Sequence, residues 1–176
     1  MAETSIEVLQ RYLQDAIAAE KSFETQLQGF ANEGDDAAVK AAFHQHALET
    51  RQQYERLTAR LEALGGSPSG AKSLLAHIFG LSPKTAQIGH EKEERTTQNL
   101  MMAYAVENSE MAMYESLATV AEAAGDTQTA SLARSIQAEE KATAEKIWKL
   151  IPAAAIAAYE RITRGEGTYT TRTTSA

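Results

Sequence analysis

"FHQHALETRQQ", residues 43–53, decides how this chain is read. The stretch lies inside a long run with helical periodicity, whose apolar stripe is Val39, Ala42, Leu57, Leu61 and Leu64. In the middle of that stripe the same positions are held by His46, Glu49 and Gln53. Alternating steps of three and four residues mark the face that a helix turns toward its partners. A histidine and a carboxylate on such a face need a reason, because a buried ionised group is costly unless it is paired or coordinated.

Working outward, the same interruption recurs in three more helical segments. The first runs from about Ser5 to Ala31, with "TSIE" as a capping box of Thr4 and Glu7. Its stripe is Ile6, Leu9, Leu13, Ala16, Glu20, Phe23, Leu27 and Phe30. The second, capped by Asp35 or Asp36, reaches about Gly65. The third runs from about Lys92 to Ala124, with Ala103, Val106, Glu110, Met113, Leu117 and Val120 on its stripe and Glu107 one turn earlier. The fourth starts at Asp126 or Thr127 and carries Ala133, Ile136, Glu140, Ala144, Ile147 and Ile151. Pro152 is expected to interrupt it, since proline has no N–H to give and crowds the preceding turn.

Residues 66–92 form the longest connection. Ser67-Pro68 and Ser82-Pro83 each read as an N-cap followed by proline at the first helical position, which predicts short helices near 70–80 and 83–91. A connection of that length can run the length of a bundle and leave the second and third helices parallel. The expected organisation is an all-α four-helix bundle over 1–152, a short helical segment over 153–165 and a disordered Thr-rich tail over 166–176.

Composition agrees. Among 176 residues, glycine and proline are few and aromatics make up 6%, which favours helices over sheet. The net charge of −7 without a basic run argues against nucleic acid and anionic membranes as partners. No cysteine is present, so disulfides, thiolate catalysis and thiolate-ligated metals are excluded. "MAETSIEVLQ" lacks the pattern of a signal peptide, and no apolar run reaches the ~20 residues of a membrane span. The expected location is the cytoplasm.

The turns show that the polar interruptions are level. Glu49 follows Gly34 by 15 residues and Glu140 follows Gly125 by 15, while Glu20 precedes Gly34 by 14 and Glu110 precedes Gly125 by 15. All four therefore stand roughly 21–23 Å from their turns. Two such hairpins packed together bring the carboxylates into one layer. No Lys or Arg occurs between Arg95 and Arg134 to neutralise Glu107 and Glu110 on their own helix. Carboxylates gathered with too few cations must take up protons or bind metal ions. With one histidine and no thiol among them, the donor set suits iron or manganese better than zinc.

At these residues the chain resembles the ferritin-like di-metal carboxylate proteins. More closely, "AAEKSF", "FHQHALET", "VENSEMAMYESLATVAEAAG" and "QAEEKATAEKI" resemble the YciE/YciF-type family of ferritin-like bacterial proteins, over about residues 5–150. The resemblance implies a four-helix core, a homodimer, a site for two metal ions per bundle and a link to stress. Carried over by position, the metal ligands are Glu20, His46, Glu49, Glu107, Glu110 and Glu140. The chain departs from the common di-iron pattern in having His-x-x-Glu on the second helix, Thr143 and Ala144 with no histidine after Glu140, and Asn108 beside the third-helix glutamate pair.

The alternative for the glutamates is a hydrated or protonated polar layer, and for His46 a core histidine bonded to a carboxylate. Glu139 takes the place of Glu140 if the fourth helix is rotated slightly. His90 and Glu93 form a second His-x-x-Glu, in a charge-dense stretch that reads as a solvated helix start. Tyr104 and Tyr114 lie within a turn of the glutamates and read either as donors to the ligands or, by preference, as core packing with outward hydroxyls, and Trp148 reads as packing or dimer surface. Three functions follow: a dinuclear iron or manganese oxidoreductase using peroxide or dioxygen, a non-catalytic iron-handling protein, or a structural bundle acting through protein partners.

Overall fold

The computed structural model describes residues 4–68 and 90–165. Four long helices carry the fold: α1 (Ser5–Glu33), α2 (Ala37–Ala63), α3 (Arg95–Ala123) and α4 (Thr127–Thr163), with a 3-10 turn at Lys92–Glu94 leading into α3. Among the described residues there is no strand. The short helices expected in the crossover and the disordered tail fall largely outside the described residues.

The helix starts follow the sequence signals. Thr4 and Glu7 form the reciprocal capping box, with Thr4 N–H donating to Glu7 Oε2 at 2.7 Å. Asp36 accepts from the N–H groups of Ala38 and Val39 at 2.8 and 2.9 Å. Asp126 accepts from Thr129 N–H at 3.1 Å, just after Gly125 turns the chain at φ +74°. α4 runs unbroken through Pro152 to Thr163, against the expected interruption. Proline forfeits one backbone bond and strains the turn before it. The helix formers around it, "AAAIAAYERI", and the packing of Ala158 keep the next turns helical.

Contacts between helix ends fix the directions. Gln10 near the start of α1 donates to the Leu64 carbonyl just past α2, at 2.8 Å. Asn99 near the start of α3 donates to Glu33 at the end of α1, at 3.0 Å. Arg60 near the end of α2 fans over the start of α4, reaching Asp126, Gln128 and Thr129 at 2.6–2.8 Å. α2 is therefore antiparallel to α1 and α4 and parallel to α3, as the crossover length predicts.

Two apolar clusters fill the interior. One, toward the α1 start, includes Leu9, Leu13, Leu57, Leu61, Leu117 and Ile136. The other includes Phe23, Leu27, Phe30, Phe43, Val106 and Ile147. The polar layer lies between them, so water reaches it poorly from either end of the bundle.

The Asp126–Arg60–Thr129 joint ties the two hairpins together. Asp126→Ala removes both the cap and the carboxylate under Arg60 and is expected to cost about 2 kcal/mol. Asp126→Asn keeps the cap and should recover part of that loss in urea unfolding.

Candidate metal centre

Each helix delivers a polar group to one level: Glu20 from α1, His46 from α2, Glu107 and Glu110 from α3, and Glu140 from α4. None of the five is more than 4% exposed. Their ligand atoms fall into two groups, His46–Glu107–Glu140 and Glu20–Glu110–Glu140, and within each group the atoms lie within 4.8 Å of one another. Glu140 belongs to both.

The electrostatics of this layer are set by burial. Glu20, Glu107, Glu110 and Glu140 all have pKa values pushed up, first by desolvation and then by one another's charge. Glu107 is raised to about 8, burial driving the rise and the neighbouring Glu140 carboxyl offsetting part of it. His46 is lowered to about 4 by burial, so its imidazole is neutral. His46 Nε2 stands 2.8 Å from Glu107 Oε1, yet neither atom has a partner in hydrogen-bond geometry. The carboxylate oxygen is close to the ring nitrogen but off its bonding direction. The His46 ring is itself held edge-on by Phe23, with centroids 5.3 Å apart.

The remaining sequence-predicted residues divide clearly. Glu49, expected as a sixth ligand, is outside both groups: its side chain is 31% exposed, accepts from Gln45 at 3.1 Å and lies 3.9 Å from Lys146 Nζ. The reason is helical phase. At about 100° per residue, Glu49 lies about 60° to one side of His46, while Thr50 lies about 40° to the other; Thr50 and Gln53 are buried in its stead. Glu139 does not replace Glu140, because it turns to the Arg56 guanidinium, which grips both its oxygens. His90 is exposed and pairs with Glu94 at 3.3 Å, as a solvated helix start would. Tyr104 packs on exposed Trp148.

Tyr114 corrects the expectation of an outward hydroxyl. It is fully buried and its hydroxyl donates to Glu20 Oε1. The signal was its spacing: Tyr114 follows Glu107 by seven residues and Glu110 by four, so all three share one face. The sequence reading had placed Met113 on the buried stripe, whereas the structure puts Met113 at the margin. Arg56 was also missed, since its long side chain acts a full turn away from its own stripe.

The donor set fits a metal ion. Glu20 Oε2, both nitrogens of His46, both oxygens of Glu107, Glu110 Oε1 and Glu140 Oε1 are buried without a hydrogen-bond partner. Buried polar atoms are normally paired, and so many orphans at one level point to a shared cation. Without one, the layer must hold protons. The four carboxyls then contribute stability that is full below their unfolded pKa of 4.5 and lost as pH rises through the folded values, about 8 for Glu107. His46 opposes them only between about 4 and 6.5, where the unfolded chain alone binds its proton. The melting temperature of chelator-treated protein is therefore expected to fall from pH 6.5 to 8, by about 2–4 °C per kcal/mol lost. A flat or rising profile in that window contradicts the raised carboxyls.

Comparison with known proteins follows the same lines. Residues 4–160 match the family described as "Domain of unknown function (DUF892)". Protein YciF of Escherichia coli (strain K12) is 29% identical over 151 residues, covering 84% of this chain and 90% of that protein. The crystal structure of the E. coli stress protein YciF superposes with a TM-score of 0.77 over 88% of this chain and 98% of that one, at 29% identity. A protein from Xanthomonas campestris pv. campestris, XCC3681, gives 0.75 at 29% identity, over 90% and 98%. A ferritin-like, diiron-carboxylate protein from Bacillus anthracis shares the fold, with a TM-score of 0.69 at 18% identity over 85% and 99%. The chain belongs to the DUF892 family, is homologous to YciF and has the ferritin-like fold.

Proposed function

We propose that this protein is a dinuclear, non-haem iron or manganese protein of the cytoplasm that reacts with peroxide or dioxygen under stress. The observation that carries the reading is the pair of buried ligand groups sharing Glu140. The diiron-carboxylate neighbour and the description of the homologue YciF as a stress protein support it.

In this reading the residues that would hold the ions are Glu20, Glu110 and Glu140 in one group and His46, Glu107 and Glu140 in the other. Two such ions, bound in the divalent state, would each give one electron to an O–O bond and become oxidised, and a second peroxide molecule or an outside reductant would restore them. The chain does the rest. Burial keeps His46 neutral, so a nitrogen lone pair is available near neutral pH. Tyr114 fixes the carboxylate of Glu20 through one oxygen and leaves the other, Oε2, free of any partner. The raised carboxyls hold protons in the absence of a cation, so loading would release them. The apolar clusters to either side restrict water around the layer.

Metal analysis of purified protein, coupled to peroxide consumption, tests this. About two ions per chain are expected. Glu140→Gln is expected to lose both, while Glu20→Gln and His46→Ala each lose about one, with consumption at least about tenfold lower in all three. Wild-type protein without metal overturns the reading. Stoichiometric metal without peroxide or dioxygen turnover removes the oxidative part and leaves an iron-handling protein.

The exposed face of α4, with Trp148, Ile156 and Tyr159 each at least 59% accessible, supports the homodimer. Sedimentation of Trp148→Asp/Tyr159→Asp is expected to shift the protein toward monomer, and an unchanged dimer removes this face from consideration.

A further inference from the structure

We infer that divalent cations reach the buried centre through the groove between α2 and α4, with Glu49 as the receiving carboxylate and the Arg56–Glu139 pair as a clasp across the route. The inference rests on the reading of the centre as a metal site.

The packing leaves few other approaches. Along the bundle axis the layer is closed by apolar side chains, Leu13, Leu57 and Ile136 on one side and Phe23, Phe43 and Ile147 on the other. A cation crossing either would shed its water with nothing to replace it. A groove of about 400 Å³ between α3 and α4 lies near Glu107, but Lys141 and Lys149 line it against the single acid Glu145. That charge repels a cation.

The seam between α2 and α4 differs in both size and charge. Its groove measures about 730 Å³ and presents Glu49, Glu55 and Glu139 against Arg56 and Lys146. Thr143 lines it too, three residues beyond Glu140, so the groove lies directly outside the layer. On the inner wall Gln53, 2% exposed, gives its Nε2 to Glu139 at 3.3 Å and leaves its carbonyl Oε1 buried without a partner. An orphaned amide oxygen on the buried residue that bonds the groove acid Glu139 is a hard ligand of the kind a passing divalent ion uses.

Glu49 stands at the mouth. It is one turn from His46, in contact with solvent, and its charge is already felt by Glu107 and Glu140. Its links to Gln45 and Lys146 are long or half-exposed and break easily. It is thus placed to take a hydrated ion from solvent and pass it inward, a different task from residence in the centre. The clasp lies across the same groove. Arg56 Nη1 donates to Glu139 Oε1 at 2.9 Å, Nη2 grips the second oxygen, and the two side chains are 37% and 42% exposed. While closed, the pair occupies Glu139 and sets a guanidinium in the cation's way.

Stopped-flow mixing of chelator-stripped, full-length protein with Co2+ tests the route, reading growth of the cobalt visible band for rate and its final height for stoichiometry. Circular dichroism checks that each variant retains its helices. Glu49→Gln is expected to slow loading about tenfold and to flatten its dependence on ionic strength, with the final height unchanged. Arg56→Gln is expected to speed loading severalfold, and Lys141→Ala to leave it unaltered. Wild-type loading rate in Glu49→Gln overturns the route, as does a change of rate confined to Lys141→Ala. A lost band in Glu49→Gln makes Glu49 a resident ligand and also overturns it. An unaltered or slower rate in Arg56→Gln removes the clasp. If wild-type protein develops no band, the metal centre itself fails.

Discussion

The structure depends on four carboxyl groups being kept out of water at one level of a helical bundle. Each ionised carboxylate moved into such an interior costs several kcal/mol even after relaxation. Four of them together would exceed the roughly 5–15 kcal/mol by which a whole domain is stable. The layer therefore exists only with a compensating positive charge or with most of its protons in place. Arg56, a base felt by the layer, is spent on Glu139 and acts on Glu20 without bonding it. That shortage turns a structural oddity into a functional one.

Everything around the layer serves to hold it. The caps at Thr4, Asp36 and Asp126 start three of the helices at defined residues, which sets how far each buried acid stands from its turn. The end contacts then lock the hairpins at one height. The apolar clusters above and below supply the stabilisation that a charged middle forgoes, and the Tyr114 hydroxyl and the Phe23 ring orient the two side chains they touch.

Much of this was legible in the sequence, for identifiable reasons. The stripe of α1 keeps an unbroken three–four alternation, and all its members except the exposed Ile6 are buried. Equal spacing from Gly34 and Gly125 placed the acids at one level. What escaped was direction. A helix of 3.6 residues per turn drifts against a simple three–four rule, so Thr50 in place of Glu49, and Tyr114 in place of Met113, face the interior. Pro152 misled because its local penalty is real but is offset by the alanine-rich helix formers after it and the buried Ala158. Arg56 was invisible because a stripe records where a side chain starts, whereas an arginine acts where it ends.

The fan of Arg60 over the start of α4 has a mechanical consequence. It clamps the α2–α4 seam most tightly near Asp126, about 16 Å along α2 from Glu49, where the cross-seam contact is a half-exposed pair at 3.9 Å. The cross-seam bonds thin out from three short ones beside Asp126 to a single long pair at Glu49–Lys146, so the joint is stiffer at the Arg60 level than at the Glu49 level.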